Sequence, residues 1–193
     1  MHVPKTGGNS IQRTLLPFSE DRVALLAPHQ DGLERFEIRS TTLDITKHST
    51  LRDYQRQLPD HIFKQLFKFS CTRNPWDRCV SFFFSPHRGS VEWSAASFER
   101  FIIEDIEPTE SYLNTSESSD NLFDNLDGII RFEHLENDFH KICGQLGIDG
   151  LVLPHVNASR RADYRDYYVN DDLIELVARK FALEIDTFGY TFG

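Results

Sequence analysis

The first ten residues of the chain constrain its fold more than any other segment. Two glycines, Gly7 and Gly8, follow Lys5 between a short apolar stretch and a segment with a helical pattern. Because a glycine has no Cβ, the backbone there can approach a ligand closely. The first amides of a helix have no intrahelical acceptor and can bind an anion. The sequence therefore predicts a strand–loop–helix cradle for a phosphate or a sulfate.

A glycine pair beside a lysine is a weak signal by itself, because most such pairs form turns. In the Walker A pattern the lysine follows the glycines, whereas here Lys5 precedes them. A standard ATPase or GTPase is therefore disfavoured.

A second candidate anion site lies at Arg73–Ser81, with the sequence RNPWDRCVS. It follows a predicted buried strand, Leu66–Thr72, and ligands of α/β folds bind outside the carboxyl ends of strands. Arg73 could make bidentate contacts to an anion, and Ser81 could add a hydroxyl. In the alternative interpretation, Arg73 binds a carboxylate and Ser81 is an ordinary helix residue.

Helical patterns alternate with short apolar strands, which predicts an α/β fold in a single domain over residues 1–193. Thr109–Asp127 is polar and is expected to form a long surface loop. A second strand is predicted at Gly128–Phe132. Helices are predicted at Ser10–Leu16, from Thr50 to Pro59, from Asn74 to about Phe84, around Phe98–Ile106, from Leu135 to Gly147 and after Asn170.

The net charge of −9 argues against a broad nucleic-acid surface, which needs clustered Lys and Arg. The sequence has no apolar run near 18 residues and no signal-peptide pattern, which favours a cytoplasmic protein without a transmembrane segment. Its three cysteines form no CxxC pair and are expected to be buried, reduced residues.

Taken together, the two motifs resemble those of sulfotransferases that use 3′-phosphoadenosine 5′-phosphosulfate (PAPS), in the carbohydrate-type branch with a PKTGG loop. The resemblance implies the sulfotransferase fold, with a P-loop-like parallel sheet core flanked by helices. It spans nearly the whole chain. Beyond the two motifs it includes Lys47–Thr50, Arg131–Leu135, Leu151–Tyr168 and Phe188–Phe192.

The resemblance also implies roles for individual residues. The residues implied to hold the 5′-phosphosulfate are Lys5, Thr6, Gly7, Gly8, Asn9 and Ser10. Those implied to hold the 3′-phosphate are Arg73 and Ser81, with Arg78 as a further candidate. Arg160 or Arg161 would close over the nucleotide from a late loop. The product would be 3′,5′-adenosine bisphosphate, and no catalytic metal is expected.

The implied reaction is in-line transfer of a sulfuryl group to a hydroxyl or an amine. Lys5 would stabilise the departing phosphate oxygen. His48 is the candidate general base, because it precedes a predicted helix start and family members carry a histidine in this context. His29 and Glu37 are the alternative bases.

One departure from the family concerns the strand before the loop, of which only residues 1–3 are present. We expect either that the start of the chain is truncated or that another segment compensates. A nucleotide phosphotransferase and a non-catalytic nucleotide-binding module are the alternative functions. The acceptor is expected to be a glycan or a small molecule, bound near Gln30–Ile38 and the Thr109–Asp127 loop.

Overall fold

The computed structural model describes residues 1–19, 22–25, 36–39, 42–115, 121–154 and 161–193, with the backbone alone for the second and third of these ranges. The strands are β1 (Arg22–Leu25), β2 (Phe36–Arg39), β3 (Phe69–Thr72) and β4 (Gly128–Arg131). The helices are α1 (Gly8–Leu15), α2 (Leu51–Gln57), α3 (Asp60–Gln65), α4 (Pro75–Phe83), α5 (Ala95–Glu104), α6 (Leu135–Gln145), α7 (Asp171–Lys180) and α8 (Ala182–Phe188).

A two-stranded parallel sheet organises the site. β3 and β4 pair in register from Phe69 opposite Gly128 to Thr72 opposite Arg131. Their carboxyl ends therefore meet at one edge, and the residues that follow each strand lie side by side. A separate antiparallel pair joins β1 and β2. This mixed architecture, with a small parallel sheet among many helices, confirms the predicted α/β class.

Residues 1–3 lie alongside β3 without joining either sheet. The Met1 backbone nitrogen donates to the carbonyl of Phe69 at 2.7 Å, and Ser70 Oγ lies 3.4 Å from the carbonyl of Met1. Val3 is fully buried. This segment therefore delivers the chain to the glycine loop at the edge where β3 ends.

Two predicted helix starts are confirmed by their caps. Thr50 and Asp53 form a reciprocal capping box at the start of α2. The side chain of Asn74 accepts hydrogen bonds from two amides of α4, whose first residue is Pro75. Local side-chain chemistry therefore fixes where these helices begin.

Two predictions about the fold are wrong, and two helices were missed. The strand predicted to begin at Leu66 begins at Phe69, because Leu66 follows the unpredicted helix α3 and is 40% exposed. Helix α8 was not predicted either. The Thr109–Asp127 segment was predicted to be a long surface loop, but its described residues form two 3₁₀ turns, Thr109–Tyr112 and Leu122–Asn125, and Thr109, Leu113 and Phe123 are buried.

Two hydrophobic clusters form the core. The first packs α4, α5 and α7 together and includes Trp76, Phe83, Phe98, Phe101 and Phe181. The second lies between the β3–β4 sheet, α1 and α6, and includes Ile11, Cys71, Ile130, Phe139 and Ile142. All three cysteines are buried and free, as predicted.

Candidate active site

The glycine loop and the first turn of α1 form the centre of the site. Gly7 is the N-cap of α1 and adopts a left-handed φ of 87°, and no side chain caps the helix. The amides of the first turn and the positive end of the helix dipole therefore face the loop. Lys5 is also left-handed, with φ 68°. That conformation is unusual for a residue with a side chain.

The packing beneath the loop explains why glycine occupies these positions. A Cβ at Gly8 would lie 2.2 Å from Cδ2 of His2, whose ring is buried under the start of the helix. A Cβ at Gly7 would lie 3.1 Å from the ring of Phe132. Thr6 is fully buried, and its hydroxyl donates to the carbonyl of Val3 at 2.9 Å. The side chain of Thr6 therefore fixes the turn from inside.

Arg73, the residue after β3 and the first of the second motif, connects that motif to the glycine loop. Its Nη1 donates to the carbonyl of Lys5 at 3.1 Å and to Oγ of Ser81 at 3.2 Å. Its guanidinium stacks over the ring of Phe132, 3.9 Å from the ring centre. Burial lowers the pKa of Arg73, and the carboxylate of Asp77 opposes that change. The two motifs predicted from sequence therefore meet at one side chain.

The carboxylate of Asp77 pairs with two arginines, Arg73 and Arg161. It accepts from Nε of Arg73 at 2.8 Å and lies 2.6 Å from Nη2 of the same residue. Arg161 pairs with the other oxygen of Asp77. The structure thus brings Arg161 close to Arg73 through their shared partner Asp77, while the contact of Arg161 with a nucleotide stays a prediction. Arg160 lies outside the described residues.

Arg78 occupies a different environment from Arg73. It is completely buried, and its three nitrogens donate to the carbonyl of Pro4 at 3.1 Å, to the carbonyl of Glu107 at 2.8 Å and to Oγ1 of Thr109 at 3.2 Å. The nucleotide contact of Arg78 stays a prediction. The observed hydrogen-bond partners of Arg78 are two backbone carbonyls and one threonine hydroxyl, so these contacts are all within the protein.

The side chain of His48 lies beside His2, just before the glycine loop begins. Its Nδ1 is 2.8 Å from the carbonyl of His2, and since a carbonyl only accepts, Nδ1 is the donor. In the neutral ring Nε2 then carries the lone pair, so Nε2 is the atom that could take a proton. Of the alternative bases, His29 lies outside the described residues, and only the backbone of Glu37 is described, in β2.

The segment that carries His48 also contacts α1. Nζ of Lys47 donates to Oδ1 of Asn9 at 2.5 Å. Burial lowers the pKa of His2 well below its usual range, and the nearby Lys47 and His48 lower it further. His2 is therefore neutral, whereas Lys47 adds positive charge beside the first turn of α1.

The comparison with protein families agrees with this geometry. The model of the sulfotransferase family matches residues 1–191. The chain belongs to the sulfotransferase family. Searches among curated proteins and among solved structures each returned no significant match. Membership supports sulfuryl transfer as the general reaction, with an acceptor as the second substrate.

Sequence reasoning missed several residues of this sulfotransferase site. The contact between Arg73 and Asp77 agrees with the alternative interpretation that Arg73 binds a carboxylate, but Asp77 was not named as that partner, because Arg73 precedes the N-cap of α4 and has no helical spacing to it. Glu133 follows β4 and accepts from the amide of Asn74 at 2.6 Å and from the hydroxyl of Tyr190 at 3.2 Å. No local pattern indicates that long-range contact.

A cavity of about 190 Å³ lies beside α1, next to the segment that carries Lys47. Polar and apolar side chains both line it. The lining residues include Gln12, Thr46, Lys47 and Tyr54, together with Ile11, Leu15, Ile45 and Phe69.

Within residues 1–19, 42–115, 121–154 and 161–193, no three His, Cys, Asp or Glu side chains cluster as a metal site would require. No helix in the part of the chain that the structure describes has the length and apolar character needed to cross a membrane.

Proposed function

We propose that this member of the sulfotransferase family transfers a sulfuryl group from PAPS to a hydroxyl or an amine of a carbohydrate or small-molecule acceptor. The observation that carries the proposal is the contact of Arg73 with both motifs. Its guanidinium joins the carbonyl of Lys5 in the glycine loop to the hydroxyl of Ser81 in α4. A nucleoside with two anionic groups would match the two neighbouring sites, the glycine loop and the Arg73–Ser81 pair.

The residues fit such a donor. The uncapped start of α1 and Lys5 offer amides and a positive charge to a 5′-phosphosulfate. Arg73 and Ser81 offer a cation and a hydroxyl to a 3′-phosphate, and Arg161 adds a second cation beside them. We assign Thr6, Gly7, Gly8, Asn9 and Ser10 to the 5′-phosphosulfate through the loop that they form. Arg160 remains a prediction.

The chemistry assigned to these residues is a single displacement. The bond between sulfur and the bridging phosphate oxygen breaks, and a bond forms between sulfur and the acceptor atom. Lys5 and the amides of the first turn would stabilise the negative charge that develops on the departing oxygen. Nε2 of His48 would take the proton of the acceptor, because Nδ1 already donates to the carbonyl of His2.

The acceptor assigned here is neutral or weakly charged. The chain carries a net charge of −9, which opposes the approach of a highly sulfated polyanion. The cavity beside α1 is lined by polar and apolar side chains, Lys47 among them, and it would accept a compact group with hydroxyls.

Calorimetric titration tests the donor assignment. The protein should bind adenosine 3′,5′-bisphosphate more tightly than 5′-AMP, because the monophosphate leaves the Arg73–Ser81 place without an anion. Equal affinities would refute it. Incubation with PAPS and a panel of acceptors should then yield a sulfated product. Thermal stabilisation by ATP–magnesium but not by the bisphosphate would favour a phosphotransferase. Binding without transfer to any acceptor would favour a non-catalytic nucleotide-binding module.

A further inference from the structure

A buried ion pair lies behind the glycine loop. Arg78 in α4 and Glu184 in α8 are both completely buried, and Nη1 of Arg78 lies 3.7 Å from Oε1 of Glu184. Burying two charges is expensive unless both are well partnered. Glu184 belongs to none of the motifs that the sequence indicates, although it lies next to an arginine of the second motif.

Arg78 contacts the loop directly. Its Nε donates to the carbonyl of Pro4 at 3.1 Å, and Nη1 of Arg73 donates to the next carbonyl, that of Lys5, also at 3.1 Å. Two arginines of one motif therefore hold two consecutive loop carbonyls. These bonds flank Lys5, whose left-handed backbone costs roughly 1–3 kcal/mol and persists only where the surroundings fix it.

Glu184 approaches Arg78 from the opposite side and is connected to it through Thr109. Its Oε2 accepts from the amide of Thr109 at 3.2 Å, while Arg78 donates to Oγ1 of Thr109 and to the carbonyl of Glu107. The carboxylate, the guanidinium and the 107–109 segment thus form one connected network. This network leaves the guanidinium little freedom to rotate away from Pro4.

We propose that Arg78 and Glu184 are positioning residues that hold the Pro4–Lys5 backbone in the conformation needed for the loop to bind its anion. The inference rests on the proposed function, since the anion assigned to the loop is the 5′-phosphosulfate of PAPS. Neither residue touches the reacting atoms. Their effect is indirect. By holding the loop backbone at the carbonyl of Pro4, they set the directions of the Lys5 side chain and of the amides that follow it.

Ligands that differ only in the 5′-phosphate test this proposal. The variants are Arg78→Lys, which keeps a charge but cannot bond all three segments, and Glu184→Gln, which keeps the shape. Glu175→Gln is the matched control, because it breaks the exposed Glu175–Arg179 pair of 3.2 Å on α7, which shares no residue with this network. Affinities for adenosine 3′,5′-bisphosphate and adenosine 3′-monophosphate are measured by calorimetry, and folding by circular dichroism.

Both variants should bind the bisphosphate about tenfold more weakly while binding of the 3′-monophosphate changes less than about twofold. Turnover with PAPS should fall through kcat as well as KM, because Lys5 is displaced. The control should match the wild type. Equal losses for both ligands, wild-type affinities in both variants, or loss of the fold in both would overturn the positioning role. A wild-type protein that does not prefer the bisphosphate over the 3′-monophosphate would instead refute the proposed function.

Discussion

Nη1 of Arg73 donates to the backbone carbonyl of Lys5 across 3.1 Å, although 68 positions separate the two residues in the chain. The same nitrogen also donates to Oγ of Ser81. One guanidinium therefore connects the loop assigned to the 5′-phosphosulfate with the place assigned to the 3′-phosphate. A substitution of Arg73 should therefore weaken binding of both anionic groups, and it should weaken binding of the 3′-phosphate more.

Replacing Arg73 by alanine tests that inequality. The variant should lose roughly 1.5–3 kcal/mol of binding free energy for adenosine 3′,5′-bisphosphate, because a charge-assisted contact to the 3′-phosphate disappears. Binding of 5′-AMP should change much less, since that ligand is affected only through the lost bond to the carbonyl of Lys5. Isothermal titration of both ligands gives the two losses. Arg179→Ala, which removes an exposed arginine paired with Glu175 on α7, serves as the control, and equal losses for the two ligands would contradict the assignment.

Lys5 is expected to act on turnover more than on affinity. Lys5→Ala should lower kcat by about 10²–10³, the usual effect of removing one donor aimed at developing charge. Lys5→Gly should lower kcat equally but be about 1 kcal/mol more stable than Lys5→Ala, because glycine adopts the left-handed φ of 68° without strain. Steady-state kinetics and thermal unfolding of the two variants separate charge from strain. Wild-type kcat in either variant would remove Lys5 from the mechanism.

Sequence reasoning succeeded where the determining interactions are local. The start of α2 follows from Thr50 and Asp53, and the start of α4 follows from Asn74 and Pro75, because each cap is made by residues within one turn. The glycine loop was recognisable for the same reason. In each case the chemistry of three or four neighbouring residues sufficed.

The rest depends on contacts between distant segments. Arg78 was a candidate nucleotide ligand in sequence, but its partners Pro4 and Glu184 come from opposite ends of the chain. Glu133 similarly connects the turn after β3 to Tyr190. Neither set of contacts has a local signal, so the network behind the loop was visible only once the chain was folded.

His48 is expected to be essential for transfer and dispensable for donor binding. His48→Ala should abolish turnover while the affinity for adenosine 3′,5′-bisphosphate stays within about twofold, because the base meets the acceptor rather than the nucleotide. His140→Ala is the matched control, since His140 is an exposed histidine in α6. Transfer rates measured with saturating PAPS decide the question. An active His48→Ala variant would move the role to another residue.

The close packing of Gly8 on His2 predicts a coupled effect on stability. Gly8→Ala places a Cβ 2.2 Å from Cδ2 of His2, so the start of α1 must shift, at a cost of about 1–3 kcal/mol. In a His2→Ala background the same change should cost much less, because the obstructing ring is gone. A double-mutant cycle by urea unfolding measures the difference. Additive costs would show that the ring does not cause the restriction.

Glu184 predicts how the stability of the protein depends on pH. Burial raises the pKa of Glu184 to about 7 from its usual 4.5, the nearby Glu110 also raises it, and Arg78 opposes the rise. Because the folded protein then binds this proton more tightly than the unfolded chain, the contribution of Glu184 to stability is greatest below pH 4.5. It is lost as pH rises through 7.

Glu184→Gln removes that titration and isolates its contribution. The free energy of unfolding of the wild type, relative to Glu184→Gln, should fall by up to roughly 3 kcal/mol between pH 5 and pH 8. Urea unfolding of both proteins at several pH values measures it, with Glu175→Gln as a control, because Glu175 makes an exposed pair with Arg179. A difference that stays constant with pH, or grows as pH rises, would mean that the carboxylate is already ionised in the fold. Arg78 would then outweigh the burial of its partner.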